Sequence, residues 1–392
     1  MSKIQLAEGI YWVGAIDWNI RDFHGYSTHR GSTYNAYLIV DEKIALIDTV
    51  KASFFPEMMR RVKEIVDPLK IDYLISNHVE MDHSGSIPMI LAECKNAQLI
   101  TCAKFGEAGL RKHFCLEGPM TAVKEGSELD LGKRKLVFVP IPMLHWPDSM
   151  VTYSPKDEIL FSSDAFGQHL ASSGRFDDEV DPAALMQEAT KYYANILMPF
   201  GHLIPPVAEK LSKLAIKIIA PSHGIIWRSD PGKIVSAYAD WSAGKAKHKA
   251  LVIYDTMWQS TAKMAEAITE GLMAEGVEVR HYKLTGSDKS DIMTEVLDAE
   301  VVVVGSPTLN NGMFPSVATF LCYLKGLKPK GKIGATFGSY GWAGGATKAV
   351  RQEMEQAGIS LVVPDLSLRW VPDPSEIAQC VDFGREIAKR MK

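Results

Sequence analysis

The stretch Asn77-His78-Val79-Glu80-Met81-Asp82-His83-Ser84-Gly85 sets four potential metal ligands, His78, Glu80, Asp82 and His83, side by side directly after the apolar run Tyr73-Leu74-Ile75. A strand that ends in a turn rich in imidazole and carboxylate aims several donors at one point, and core building does not call for that density of ionisable side chains. Three later residues occupy similar strand-end settings: His145 in Met143-Leu144-His145-Trp146-Pro147-Asp148, Asp164 in Phe161-Ser162-Ser163-Asp164, and His223 in Pro221-Ser222-His223-Gly224. Together these residues suffice for two metal ions that share a carboxylate. His29, His113, His169, His202, His248 and His281 lack such a setting and are read as non-ligands.

A second chemistry is written further on. The apolar strand Leu251-Val252-Ile253-Tyr254 runs through Asp255 into Thr256-Met257-Trp258-Gln259-Ser260-Thr261, after which a helical pattern begins. Backbone N–H groups at that helix start, with the hydroxyls of Thr256, Ser260 and Thr261, make an anion cradle. The loop holds neither a lysine nor a G-x-G-x-x-G pattern, which argues against a nucleotide triphosphatase or a dinucleotide fold and suits a terminal phosphate monoester. Two more strand ends follow: Gly305-Ser306-Pro307-Thr308-Leu309-Asn310-Asn311-Gly312 and Gly338-Ser339-Tyr340-Gly341-Trp342-Ala343-Gly344-Gly345. In an open parallel sheet, ligands bind outside the carboxyl ends of the strands. A phosphate loop and two Gly/Asn/aromatic loops so placed bracket a flat aromatic ligand.

The elements that must carry these residues fall into two halves, expected at residues 1–247 and 248–392. The first opens with strands at Gly9–Val13, Thr33–Val40 and Lys43–Asp48, rich in β-branched and aromatic residues. Helical patterns at 54–66 and 181–196 interleave with a second strand set near 135–139, 150–153 and 158–161. Two sheets packed face to face with helices outside, a layered α/β sandwich, fit that order. The small, basic stretch Ser242–Lys249 reads as a linker. Beyond it five apolar strands, at 250–254, 277–283, 301–305, 333–338 and 361–363, alternate with helical stretches, as in a doubly wound parallel sheet.

Bulk properties narrow the class. At 392 residues the chain is too long for one comfortable core. A net charge of −4 gives no reason to expect nucleic acid or an anionic membrane as partner. No apolar run reaches the ~18 residues of a membrane span, and the N-terminus lacks a secretory core, so a cytoplasmic setting is expected. The five cysteines, Cys94, Cys102, Cys115, Cys322 and Cys380, form no C-x-x-C pair, so any electrons must come from a separate donor molecule.

The three-loop pattern resembles the flavodoxin family, over most of residues 249–392. The resemblance implies FMN, with its phosphate on the first loop, its ring between the segments around Pro307–Gly312 and Ser339–Gly345, and Trp342 as ring neighbour. The H-x-[EH]-x-D-H motif with its later His, Asp and His resembles the metallo-β-lactamase fold, whose hydrolytic members usually carry His and zinc where this chain has Glu80. A carboxylate there hardens the site toward iron or manganese. On that template His78, Glu80 and His145 serve one metal, Asp82, His83 and His223 the other, and Asp164 bridges; the residue matching His83 coordinates in only some of the flavodiiron proteins considered next.

The two units together resemble the flavodiiron proteins, which include the rubredoxin:oxygen oxidoreductases. Local strings carry the likeness: Phe23-His24-Gly25-Tyr26, Thr33-Tyr34-Asn35-Ala36-Tyr37, Leu144-His145-Trp146-Pro147-Asp148-Ser149-Met150 and Tyr192-Tyr193-Ala194-Asn195. The resemblance implies a non-haem diiron centre charged by FMN that reduces O2 to water, NO to N2O, or both, since either substrate calls for the same ligands. It also implies His24, Tyr26 and Tyr193 as donors of protons or hydrogen bonds. Rubredoxin is the expected electron donor, with reduced F420 the rarer one. A head-to-tail homodimer, or a dimer of such dimers, would bring one protomer's flavin to the other's metals. The alternative, a dizinc hydrolase with an accessory flavin domain, is opposed by Glu80.

Overall fold

A computed structural model describes residues 3–392, and the chain divides into two compact units. One takes in the chain up to Tyr192 together with His202–Ala239; the other comprises Tyr193–Gly201 and Asp240–Lys392.

The first unit is built on two sheets. The larger runs, in spatial order, Ile4–Ala7, Ile10–Trp12, Tyr37–Val40, Ile44–Ile47, Ile71–Ser76, Gln98–Cys102 and Met120–Val123. The smaller orders Glu128–Asp130, Lys135–Pro140, Met150–Ser154, Ile159–Ser163 and Ile218–Pro221. Successive side chains of a strand point to opposite faces, and here each face has its own cover. Tyr37, Ile39, Ala45 and Ile47 meet Phe138, Met150 and Phe161 of the smaller sheet, whereas Leu38, Leu46 and Leu74 pack with Met58, Met59 and Val62 of the helix Phe55–Lys63 and with Ile87 and Ile90. The expected sandwich of sheets with helices outside is what forms.

Strand direction then gathers the candidate ligands. Ile159–Ser163 and Ile218–Pro221 are parallel neighbours, so Asp164 and His223 leave the same edge of their sheet. Ile71–Ser76 delivers the His78–His83 turn, and the N–H of Met150 bonds the carbonyl of Asn77 at 3.0 Å, tying the hairpin that carries His145 to that turn.

In the second unit, Glu278–Lys283, Lys247–Tyr254, Ala299–Gly305 and Ile333–Tyr340 form a parallel sheet in that order. Val301, Val302, Val303 and Val304 are all fully buried, because both faces of the sheet are covered. Two expectations need correction. The last strand is split: Ser360–Leu361 and Leu366–Arg369 both pair with Ile333–Tyr340, the Pro364 between them interrupting a single run. The stretch read as a linker is mostly structured, since the helix Pro231–Ala243 runs into it and the strand Lys247–Tyr254 begins inside it.

Candidate metal and flavin sites

The seven side chains singled out in the first unit lie in two groups whose ligand atoms fall within 4.8 Å of one another: His78, Glu80, His145 and Asp164, and Asp82, His83 and His223. In the first, His145 Nε2 lies 3.5 Å from Glu80 Oε2 and 3.3 Å from Asp164 Oδ2, and His78 Nε2 lies 3.3 Å from Glu80 Oε2. In the second, His223 Nε2 is 3.0 Å from Asp82 Oδ2 and His83 Nε2 is 3.4 Å from Asp82 Oδ1. Such spacings suit ligands around a cation with bonds of roughly 2.0–2.2 Å. Asp164 serves both groups: its Oδ2 faces His145 and His78, and its Oδ1 lies 3.0 Å from His83 Nε2 and 3.5 Å from His223 Nε2.

These groups are buried, Glu80 and His145 slightly less than the rest, and several are poorly supplied with hydrogen bonds. Both oxygens of Asp82 and both ring nitrogens of His83 have none. Buried ionisable groups left so are costly unless a cation meets them. The imidazoles and carboxylates also act on one another's titration. Burial alone would raise the carboxyls of Asp82 and Asp164, yet the imidazoles beside them, His83 foremost, hold both below the usual range. Burial would lower His83, but Asp164 and Asp82 outweigh it and hold the imidazole up at about 9. Three carboxylates offset most of the charge of two divalent ions, and a donor set of nitrogen and oxygen suits iron. The residues present fit a metal pair.

Groups behind the ligands orient them. His78 Nδ1 is 2.9 Å from Asp148 Oδ2, and His223 Nδ1 donates to the carbonyl of Thr33 at 2.7 Å. The loop of His223 is clamped further by Asn35, whose Nδ2 donates to the carbonyls of Pro221 and Gly224, and by the Tyr37 hydroxyl on Pro221. Gly224 has φ +77° and lies where a Cβ would come within 1.6 Å of Gln168 Oε1, so this turn admits only glycine. Lys51 sets its ammonium over the rings of Phe23 and Tyr34 at 4.7 and 4.8 Å, and burial lowers its pKa.

The three outer candidates fare differently. His24, 74% exposed at its side chain, reaches Glu80 Oε1 with Nε2 at 3.2 Å, the oxygen turned away from His78 and His145. Tyr26 is buried, its ring 5.3 Å from that of His169. Tyr192, a residue the sequence reading did not single out, touches the cluster: its hydroxyl donates to Asp164 Oδ1 at 3.0 Å. Tyr193 turns its ring to Trp241, 5.0 Å away, because consecutive residues at a helix end point in different directions. His169 is in neither ligand group, yet it is buried against His223 with ring centroids 4.8 Å apart and Nδ1 2.7 Å from Ser32 Oγ.

The second unit carries a cleft of about 620 Å³ at the carboxyl ends of its strands. Thr256, Met257, Trp258 and Ser260 line it from the first loop, Pro307, Thr308, Leu309, Asn310 and Asn311 from the second, and Ser339, Tyr340, Gly341, Trp342 and Ala343 from the third. Trp370 and Val371 line it too; their loop follows the short strand Leu366–Arg369, which the pattern of apolar runs did not reveal. The remaining loop residues build the walls. Gln259, at φ +66°, turns the chain into the helix Ser260–Ala274; Thr261 Oγ1 meets Ser339 Oγ at 2.9 Å; Leu309 and Gly312 exchange backbone bonds. Gly345 takes φ +150° with Asn311 O so close that a Cβ would stand 2.3 Å from it, and Gly344 precedes it over the Tyr340 ring. At the helix start the buried hydroxyl of Thr256 has no hydrogen-bond partner. A hydroxyl beside the N-terminus of a long helix and a cleft walled by tryptophans fit FMN, phosphate inward and ring outward.

Comparison with known proteins recovers both units. Residues 33–224 match the family model described as ODP family beta lactamase, and residues 252–384 match that of flavodoxin. The chain is 52% identical over 394 residues to the nitric oxide reductase of Moorella thermoacetica, covering 99% of this chain and 98% of that one. The rubredoxin oxygen:oxidoreductase of Desulfovibrio gigas superposes with a TM-score of 0.97 at 39% identity, over 99% of this chain and 98% of that one. The flavodiiron protein of Giardia intestinalis superposes with a TM-score of 0.96 at 36% identity, over 100% of this chain and 97% of that one.

Proposed function

We propose, from the premise that this chain belongs to the flavodiiron proteins, that it is an oxidoreductase reducing NO, O2 or both at a non-haem diiron site fed by FMN. The observation that carries the reading is Asp164, one carboxylate with an oxygen toward each ligand group, in a chain that also holds a flavodoxin unit. When bound, a reduced flavin and a ferrous pair supply two electrons each: four convert O2 to two waters, and two couple two NO into N2O and water. The hydrolase alternative finds no support among relatives named as reductases.

The chain's own residues have separable tasks in this reading. His78, Glu80 and His145 would hold one iron and Asp82, His83 and His223 the other, with Asp164 facing both groups. Tyr192 donates to Asp164 and fixes its carboxylate. Burial keeps its phenol protonated, and the negative charge of Asp164 adds to that, so the donor persists at every working pH. His24, exposed and touching Glu80, can pass protons from solvent to the carboxylate edge of the site; Tyr26, buried beside His169, adds a second polar group. Thr256, Ser260 and the helix start would take the FMN phosphate, and Trp342 and Trp370, which line the same cleft, would pack on its ring.

Both sites open onto apolar rims. Trp258 and Trp342 are 88% and 84% exposed, with Trp370 and Val371 beside them, and Met81 and Met143 are exposed next to the ligand turns of the other unit. Exposed apolar residues in such number mark a covered surface, which supports the head-to-tail homodimer, or a pair of them, with the flavin of one protomer serving the metals of its partner. Rubredoxin is the proposed donor, ahead of reduced F420. Among the described residues no helix is long and apolar enough to cross a membrane, and a cytoplasmic setting is proposed.

The test measures metal and flavin content, then follows anaerobic NO consumption and O2 consumption by one preparation with reduced rubredoxin. About two irons and about one FMN per chain, with turnover of at least one gas, are expected. Zinc in the active protein, with ester cleavage indifferent to flavin reduction, would sink the reading.

A further inference from the structure

The groups standing behind the metal-binding histidines are unequal, and the inequality has a direction. His78 Nδ1 meets the carboxylate of Asp148 at 2.9 Å, and the same oxygen accepts the N–H of Val79 at 2.8 Å, so a buried anion is locked behind this imidazole. A carboxylate there fixes the tautomer with the lone pair on Nε2 and makes the ring a stronger donor. His223 has a neutral acceptor instead, the carbonyl of Thr33 at 2.7 Å. His83 has neither: its Nε2 faces Asp164 at 3.0 Å, and its other ring nitrogen, Nδ1, has no hydrogen-bond partner. Behind it the backbone is held instead, the carbonyl of His83 accepting from the N–H and hydroxyl of Thr49 at 2.8 and 2.5 Å.

From this asymmetry, and resting on the diiron reading above, we infer that Asp148 makes the two metal positions inequivalent: the position of His78, Glu80 and His145 binds its ion more tightly than the position of Asp82, His83 and His223. Loss of metal therefore begins at the second position and passes through a protein holding one ion at the first. Asp148 acts as a positioning residue, touching neither metal nor substrate. Removing such a partner costs roughly 10–100-fold in metal affinity.

The experiment equilibrates the full-length holoprotein with graded chelator under anaerobic conditions. Bound iron is counted, and half-depleted wild-type crystals are located by anomalous diffraction at the iron edge. Two separate release steps are expected, with the remaining iron at the His78 position. In Asp148→Asn, which keeps the shape and an acceptor but removes the charge, the tighter step weakens roughly 10–100-fold and the two steps converge. In His83→Asn only the weaker step moves. Simultaneous emptying of both positions, or longer retention at the Asp82 position, overturns the inference while leaving the diiron reading intact. Holoprotein with no iron at either position overturns both. The wild-type measurement decides the order of release even if a variant fails to fold; an Asp148→Asn protein whose tighter step is unmoved, or whose two steps weaken alike as a purely structural role would have it, overturns the part assigned to Asp148.

Discussion

Asp164 shows how one residue's surroundings separate ligation from mere burial. It faces imidazoles with both oxygens, and the hydroxyl of Tyr192 is a neutral partner beside them. Replacing Tyr192 by Phe keeps a ring packed 5.2 Å from His169 and removes only that donor. Turnover is expected to fall roughly ten-fold with iron still bound, read as kcat per iron. A variant with unchanged kcat per iron would mean that the ligand contacts alone hold the carboxylate. The candidate ligands, which the structure brings together, were legible in the sequence because ionisable residues at the ends of apolar strands have no role in a core. The tyrosine was not. In Tyr192-Tyr193 the helix Pro182–Tyr192 gives way to a π-helical turn over Tyr193–Leu197, and the change of phase that sends one ring to Asp164 and the other to Trp241 leaves no mark on residue type. Asp148 and Thr33 were visible only as members of family strings, since a carboxylate or a carbonyl aimed at the far side of an imidazole has no spacing rule.

Among elements, the parallel strands of the second unit were readable from their continuous apolar runs, whereas the short Leu366–Arg369 was hidden by its alternating burial and by the preceding proline. With it went the loop that brings Trp370 and Val371 to the cleft. The amino ends of the same sheet hold a costly feature: Lys332, immediately before the strand Ile333–Tyr340, is buried, with Nζ donating to the carbonyl of Leu297 at 2.8 Å. Burial pushes its pKa down from 10.5 to about 8, Lys249 adding to the effect and Asp298 and Glu300 opposing it. Below pH 8 the ammonium is charged in both folded and unfolded chain, and the fold carries the cost. Between about 8 and 10.5 the unfolded chain binds a proton that the folded one has released, so stability rises with pH across that window, by about 3 kcal/mol at most. The check is the stability difference between wild type and Lys332→Met: it shifts in favour of wild type from pH 8 to 10.5 and stays flat below. A difference independent of pH would show that Lys332 titrates normally.

At the scale of the whole molecule, the question is which flavin serves which metal pair. Each chain carries one site of each kind on separate units. Electron transfer demands proximity, so the answer fixes whether a single chain can turn over. If cofactors meet only between protomers, two crippled chains can repair each other. One parent carries Asp164→Ala and His78→Ala and keeps FMN. The other keeps its metals and has the cradle filled by Thr256→Glu and Ser260→Glu, where carboxylates repel a phosphate. Neither parent alone should consume NO or O2. When the two are unfolded, mixed and refolded with iron and FMN, random pairing of a two-fold dimer makes half of the dimers mixed, each with one working flavin–metal pair of its two. About a quarter of wild-type turnover per chain is then expected. Transfer within a chain gives none, because every chain lacks one partner. A mixture as inactive as its parents, in which mass measurement nonetheless finds mixed dimers, would rule out the crossed arrangement and require each unit to serve its own chain.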